Sequence, residues 1–362
     1  MPGRLAVLTA VLVGSASLSL TSTAAAAGGL CDGFGSPEVA GTVANPALVE
    51  ISGVAGSRAH AGVLWTHNDS GGAPEVYAMG EDGADLGAYA VDGASATDWE
   101  DIAIGPGPDP DRSYLYAADI GDNAAGRDSV TVYRVPEPDE APTAPGGTLT
   151  GTEAIELRYP DGASDAEALL VDPTTGDLII VTKSYLGSSH VLVAPAGDLV
   201  DGATVTMTDE AAITIAAPTD GRGLPGTAVT GADIAPDGSI VLLRTYQSVL
   251  AYARGDGQSV ASALEAAPCF APQVDEPQGE AVAFTGAGDA YVTVSEGGSQ
   301  PIHRVELAVP APATTVPPTT TTTANEPSAD DSSNLDPLPV VGVALILVAG
   351  VALVVMIRRR RP

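Results

Sequence analysis

The residues able to do chemistry in this chain are mostly carboxylates, and they recur at matched positions. Glu100, Glu167 and Glu280 each open a short apolar run (EDIAI, EALLV, EAVAF), while Asp101 and Asp233 stand one residue further into theirs. A second set closes the apolar run that follows each of these: His67, Asn68 and Asp69, then Asp119, Asp122 and Asn123, then Lys183, Arg244 and Glu296. Hard oxygen donors gathered in such numbers suit calcium, which takes about six to eight oxygens at flexible geometry. Glu100, Asp101, Asp119, Glu167, Asp233 and Glu280 are therefore the candidate ligands of a calcium ion. His67, Asn68, Asp69, Asn123, Lys183, Arg244 and Glu296 are candidates for contacting a bound ligand. Without a cation such carboxylates repel one another and retain protons at raised pKa. Lys183 and Arg244 offer two other outcomes, pairing with the acids or facing an anionic group. A repeated polar residue can also simply bridge neighbouring strands by hydrogen bonds, so both the metal and the bridging readings stay open.

These residues need elements that bring them together, and the stretch from Asp98 to Asn123 reads as one: a β-hairpin of two apolar strands around a Pro/Gly/Asp turn. In an antiparallel hairpin the start of the first strand and the end of the second lie at the same end. The unit recurs. Leading strands begin at Ile51, Glu100, Glu167, Ala232 and Glu280; aligning Val54, Ile102, Leu169, Ile234 and Val282 gives spacings of 48, 67, 65 and 48 residues. Second strands start at Val63, Tyr114, Leu178, Ile240 and Ala290, and third strands at Glu75, Val130, His190, Val249 and Ile302. Turns such as Pro236-Asp237-Gly238 and Gly286-Ala287-Gly288-Asp289 carry hairpin chemistry. Outer strands are expected near Ala88 to Val91, Ala154 to Leu157, Ile213 to Ala216 and Ala263 to Ala267.

Four-stranded antiparallel repeats at this period predict an all-β protein, a β-propeller of five blades, with six allowed by the two long intervals. A β-sandwich is the alternative, but it gives no reason for five copies of one hairpin. The fifth repeat lacks an outer strand, and Pro37 to Val43 is free to supply it, closing the ring with the two ends of the domain. On the leading strands, the DG-type turns and the second strands ending in an acid or amide, the region Leu48 to Leu307 resembles secreted bacterial propellers, including β-propeller phytases and the calcium-bound sugar-lactonase type. The resemblance implies the fold and a tendency to bind calcium.

The ends predict where the domain resides. Residues 1–27 have the layout of a secretory signal peptide, with Arg4, an apolar run and an alanine tract. Residues 28–309 form the extracellular domain. A Thr/Pro/Ser-rich stalk spans 310–337. Residues 338–357 carry no charge over 20 positions and are followed by arginines in the tail 358–362, the pattern of a transmembrane helix with its basic flank inside. Leu338-Pro339-Val340-Val341-Gly342 resembles a sortase sorting signal with Val341 in place of its threonine, so the expected location is the cell membrane, with cell-wall linkage as the alternative. The partner implied by the tail is the membrane, and the mouth faces an extracellular ligand or protein.

The formal net charge is −31, which argues against nucleic acid as a partner. Cys31 and Cys269, the two cysteines of an exported domain, are expected to pair as a disulfide. There is no C-x-x-C or H-E-x-x-H for zinc and no G-x-S-x-G for a serine hydrolase. The function expected is a surface-anchored, calcium-containing binding module. Two alternatives stand: a metal-assisted hydrolase of phosphoesterase or lactonase type using His67, Lys183 and Arg244, and a scaffold without metal. No catalytic residue is assigned.

Overall fold

The structure, a computed structural model, describes residues 29–69, 71–215 and 224–308. The expected signal peptide, stalk, transmembrane helix and basic tail lie outside them. No helix of the described residues is long and apolar enough to cross a membrane.

Five antiparallel sheets form the blades of a β-propeller. Blade 1 holds β2 (Ile51–Gly56), β3 (Val63–Asn68), β4 (Glu75–Gly80) and β5 (Asp85–Val91), and blade 2 holds β6 (Trp99–Pro106), β7 (Ser113–Asp119), β8 (Val130–Pro136) and β10 (Glu153–Arg158). Blade 3 is β11 (Ala166–Val171), β12 (Leu178–Thr182), β13 (Ser188–Ala194) and β15 (Thr208–Thr214). Blade 4 is β16 (Val229–Ile234), β17 (Ile240–Thr245), β18 (Ser248–Ala253) and β19 (Cys269–Ala271). The last blade comprises β20 (Gly279–Phe284), β21 (Ala290–Ser295), β22 (Pro301–Glu306) and, from the front of the domain, β1 (Glu38–Thr42). The pairing of β1 with β22 is the ring closure anticipated for Pro37 to Val43. Cys31 and Cys269 form a disulfide across a sequence separation of 238 residues, tying the segment before β1 to the outer strand of blade 4.

Two blades gain a fifth strand by parallel addition. The short β9 (Gly146–Leu149) lies along β5, and β14 (Thr204–Thr206) lies along β10. These additions and their loops occupy the two long intervals, and among the described residues no sixth blade is found there. One expected outer strand is corrected: Ala263 lies in a short helix, α1 (Val260–Leu264), whose first turn is capped by Ser259 Oγ accepting the Ser262 N–H at 3.2 Å. An Ala/Leu run behind a serine cap favours helix over strand, and the blade's outer strand follows at Cys269.

Burial explains the sequence pattern. The five inner strands and their neighbours are buried along almost their whole length because both faces are covered by adjacent blades, so they read as continuous apolar runs. Outer strands alternate, as in β10 and β15. The core falls into five apolar clusters, one in each gap between successive blades, and that between blade 5 and blade 1 packs Val292, Val294 and Ile302 against Val54, Leu64 and Tyr77. A fifth interface is the mark of a closed ring. Each inner strand is the terminal strand of its sheet.

Every inner strand carries a β-bulge at the same place. The register slips between Ile51 and Val54, Trp99 and Asp101, Ala166 and Ala168, Val229 and Gly231, and Gly279 and Ala281. A bulge leaves one residue unpaired and re-aims its side chain. The extra residues are Glu100, Glu167, Thr230 and Glu280 in blades 2 to 5, with Ser52-Gly53 opposite His67 in blade 1.

Candidate functional site

The five bulges set the chemistry at the channel mouth. Where the bulged residue bears a hydroxyl, it staples the next blade: Ser52 Oγ donates to the Glu100 carbonyl at 2.5 Å, and Thr230 Oγ1 to the Gly279 carbonyl at 2.9 Å. Where it is glutamate, the carboxylate enters a cavity of about 190 Å³ lined by Glu50, Ile51, Ser52, Asp69, Glu100, Asn123, Glu167, Lys183, Tyr185, Tyr246, Gln278, Glu280 and Glu296. Seven of the sequence-derived candidates meet here: Asp69, Glu100, Asn123, Glu167, Lys183, Glu280 and Glu296. They come from the starts of first strands and the ends of second strands, which antiparallel geometry places at the same end of each hairpin.

The other candidates are placed elsewhere, each for a visible reason. Asp101 follows its bulge and turns into the blade junction, where Oδ1 accepts the Ile102 amide at 2.9 Å and Oδ2 accepts those of Leu169 and Ala232 at 2.9 and 3.2 Å. Asp233 accepts Ile234 N–H at 2.8 Å and Phe284 N–H at 2.7 Å. The bulge in blade 4 lies at Thr230, so Asp233 stands two residues beyond the counterpart of Asp101. Asp119 caps the Thr97 and Asp98 amides at 3.0 and 3.2 Å and pairs with Arg127 at 2.8 Å. These three acids serve bridging and capping rather than lining the cavity.

His67 and Arg244 are both buried and line no part of it. Burial lowers His67 to about 4, so its imidazole is neutral. Its Nδ1–H donates to the Asn68 carbonyl at 2.8 Å, and its ring meets Trp99 edge to face. Arg244 donates to Gln273 Oε1 at 2.8 Å and Glu276 Oε2 at 2.5 Å. A side chain at Gly279 would strike its guanidinium, which is why glycine starts the β20 strand. Asn68 holds the loop before β2, accepting the Val49 and Glu50 amides at 3.1 and 3.0 Å, and thereby sets Glu50 at the rim.

Sequence reasoning missed Asp98, Glu50, Tyr185, Tyr246 and Gln278. Asp98 matters most, because Asp69, Asp98 and Glu100 each bring a carboxylate oxygen to within 4.8 Å of the others. The backbone of Gly121 closes over the pair: a Cβ there would lie 2.2 Å from Glu100 Oε1 and 2.4 Å from Asp98 Oδ2. The available signal was position, since Asp98 precedes the bulge and Tyr185 and Tyr246 stand three residues and one residue after second strands.

Charge in the cavity is lopsided. Among the described residues Lys183 is its one cation; it pairs with Glu167 Oε1 and donates to Tyr246 Oη at 3.0 Å, its ammonium 5.2 Å from the Tyr246 ring centroid and 5.7 Å from that of Tyr185. Although burial opposes its charge, Glu167 and Tyr246 hold Lys183 above its ordinary pKa. Burial, then Glu167, Asp69 and Asp98, push Glu100 far above the carboxylate range. Burial and Glu167 raise Glu280 to about 8. Glu167 itself is raised, because burial outweighs Lys183, and its Oε2 has no hydrogen-bond partner. Chemically, the arrangement stores the attraction for a positive charge that the protein's own lysine only partly supplies.

No family model matches the chain, and no curated protein matches it. Among solved structures, a gluconolactonase from Xanthomonas campestris, described as important in glucose secondary metabolic pathways, is similar over 79% of this chain and 93% of its own, at 14% identity and a TM-score of 0.41. Likeness at that level carries nothing about function, and the propeller rests on its own five sheets.

Proposed function

We propose that the domain is a cation-dependent binding module, with one hard divalent ion of the calcium class held at the channel mouth and used to engage an extracellular ligand. The observation that carries this reading is the convergence of Asp69, Asp98 and Glu100 oxygens. Buried Glu167 with its unpartnered Oε2, Glu280 and the side-chain oxygen of Asn123 stand in the same cavity. Calcium bonded there would supply the positive charge that the acids lack, and Asp69, Asp98 and Glu100, with the Asn123 oxygen, would hold it through oxygen alone. In its absence burial and mutual repulsion hold Asp98, Glu100, Glu167 and Glu280 above their ordinary pKa.

The hydrolase alternative called on His67, Lys183 and Arg244 beside the metal, and of these only Lys183 lines the cavity. Binding is therefore the better supported role. Surface attachment through 338–357 belongs to the same proposal and rests on that segment's uncharged apolar length.

The test is calorimetric titration of the purified chain with calcium after chelation, beside thermal melts with and without chelator. Binding heat and a melting temperature that rises with calcium are expected. Absence of both would refute the metal reading.

A further inference from the structure

We infer that the channel mouth has a second pole, distinct from the Asp69–Asp98–Glu100 cluster, that binds the primary ammonium group of an alkylamine. The geometry lies on the Tyr185/Tyr246 side. A groove of about 460 Å³ adjoins the acidic cavity there, and Tyr185, Tyr246 and Gln278 belong to the walls of both. Anything lying in the groove would reach the cavity past two aromatic rings. Glu280 and Glu296 face the cavity from the last blade, and Glu167 presents a buried, unpartnered Oε2.

Three features select the ligand. Among the described residues, an anion entering the cavity would face Glu50, Asp69, Glu100, Glu280 and Glu296 and find only Lys183, already paired with Glu167. A divalent metal at this pole would meet tyrosine faces where it needs many oxygens. An ammonium group tolerates both surroundings, since aromatic faces and carboxylates each attract it.

The protein already contains a copy of the arrangement. The Lys183 ammonium sits between Glu167 Oε1 and the rings of Tyr185 and Tyr246. That contact shows what the wall accommodates, and it leaves Glu167 Oε2 and Glu280 to face an incoming second ammonium. The groove beyond, bordered by Asp275 and Pro277, suits the aliphatic stem and whatever bears it. A free diamine and the lysine side chain of a peptide share this chemistry.

The inference shares its cavity with the proposed metal and does not depend on it. The experiment is calorimetry on the purified chain with 1,5-diaminopentane and with the peptide Gly-Gly-Lys-Gly, each in chelator and in calcium. All peptides are N-acetylated; Gly-Gly-norleucine-Gly and the Nε-acetyl-lysine peptide serve as controls without an ammonium group, and 1,5-pentanediol as the uncharged counterpart of the diamine. At least one amine is expected to bind in chelator at least tenfold more tightly than its uncharged counterpart. Binding of the peptide alone assigns a protein partner, and binding of the diamine alone a small metabolite. Tyr246→Ala and Glu280→Gln should each weaken binding about tenfold. Should either variant misfold, the comparison with the uncharged probes in the unaltered chain decides. Equal affinity for charged and uncharged probes, or no binding in either condition, would overturn the ammonium pole, while a calcium heat in the same protein would leave the metal reading standing.

Discussion

The Asp101 carboxylate of β6 accepts the backbone N–H of Ala232 on β16 at 3.2 Å, although the two residues belong to blades that are not neighbours in the ring. The same oxygen takes the Leu169 amide of the intervening blade. One side chain thus ties three inner strands beneath the mouth. Replacing it by alanine leaves three buried N–H groups without acceptors, at roughly 1 kcal/mol or more each. Asp101→Ala should therefore lower stability by about 3 kcal/mol or more in denaturant unfolding, and an unchanged midpoint would show that the clamp is dispensable.

Lys183→Met removes the cation from a buried pair and leaves Glu167 uncompensated, which costs about 3 to 5 kcal/mol when one partner goes. The double variant Lys183→Met/Glu167→Gln should regain most of that loss. A double-mutant cycle in urea measures the recovery, and strict additivity would refute the coupling.

The pH dependence has a defined sign. Glu280 titrates at about 8 in the folded protein against an ordinary value of 4.5, because burial and Glu167 disfavour its charge. The folded state then binds more protons than the unfolded one between those values, so its stability falls as pH rises from about 4.5 to about 8. Melting temperatures recorded in chelator should decline over this window. Glu280→Gln should flatten the decline, and on the metal proposal calcium should flatten it too.

Gly121→Ala places a methyl group against Glu100 and Asp98, at 2.2 and 2.4 Å from their oxygens. The carboxylates must move apart. Calcium affinity is expected to drop at least tenfold, with a melting temperature in chelator close to that of the unaltered chain. Full retention of affinity would place the ion elsewhere.

Disulfide loss is expected to act on the whole ring. The Cys31–Cys269 bond closes a loop of 238 residues, and cross-links of such length stabilise by about 5 kcal/mol through the unfolded chain. Cys31→Ser/Cys269→Ser should therefore unfold at distinctly lower denaturant concentration, with the same amplitude in circular dichroism.

Much of the fold was legible because each blade repeats strong local signals, namely apolar runs and Gly/Asp turns, and because the fifth repeat visibly lacked a strand that only Pro37 to Val43 could provide. The bulges were not legible. A bulge adds one residue without altering composition, so ADIAP at Ala232 to Pro236 looked equivalent to EDIAI at Glu100 to Ile104, whereas the register makes Thr230 the counterpart of Glu100. For the same reason adjacent acids could not be told apart: Glu100 enters the cavity and Asp101 faces backbone amides one residue later. His67 and Arg244 misled because a polar residue at a strand end carries no sign of which side of the sheet it enters. The tyrosines were passed over because aromatic residues in β-rich sequence ordinarily signal packing.

The shared last blade has a directional consequence. Phe34 bridges Leu307, and the Ala308 amide donates to the Gly33 carbonyl at 2.6 Å, so the chain enters and leaves the domain side by side. Leu307 also bonds to Asp289 in the β20–β21 turn, at the end of that hairpin opposite Glu280 and Glu296. A pull along the chain at both ends would thus load the Cys31–Cys269 bond and the Gly33/Phe34 contacts with Leu307 and Ala308, like a handle fixed to a cup away from its acidic rim.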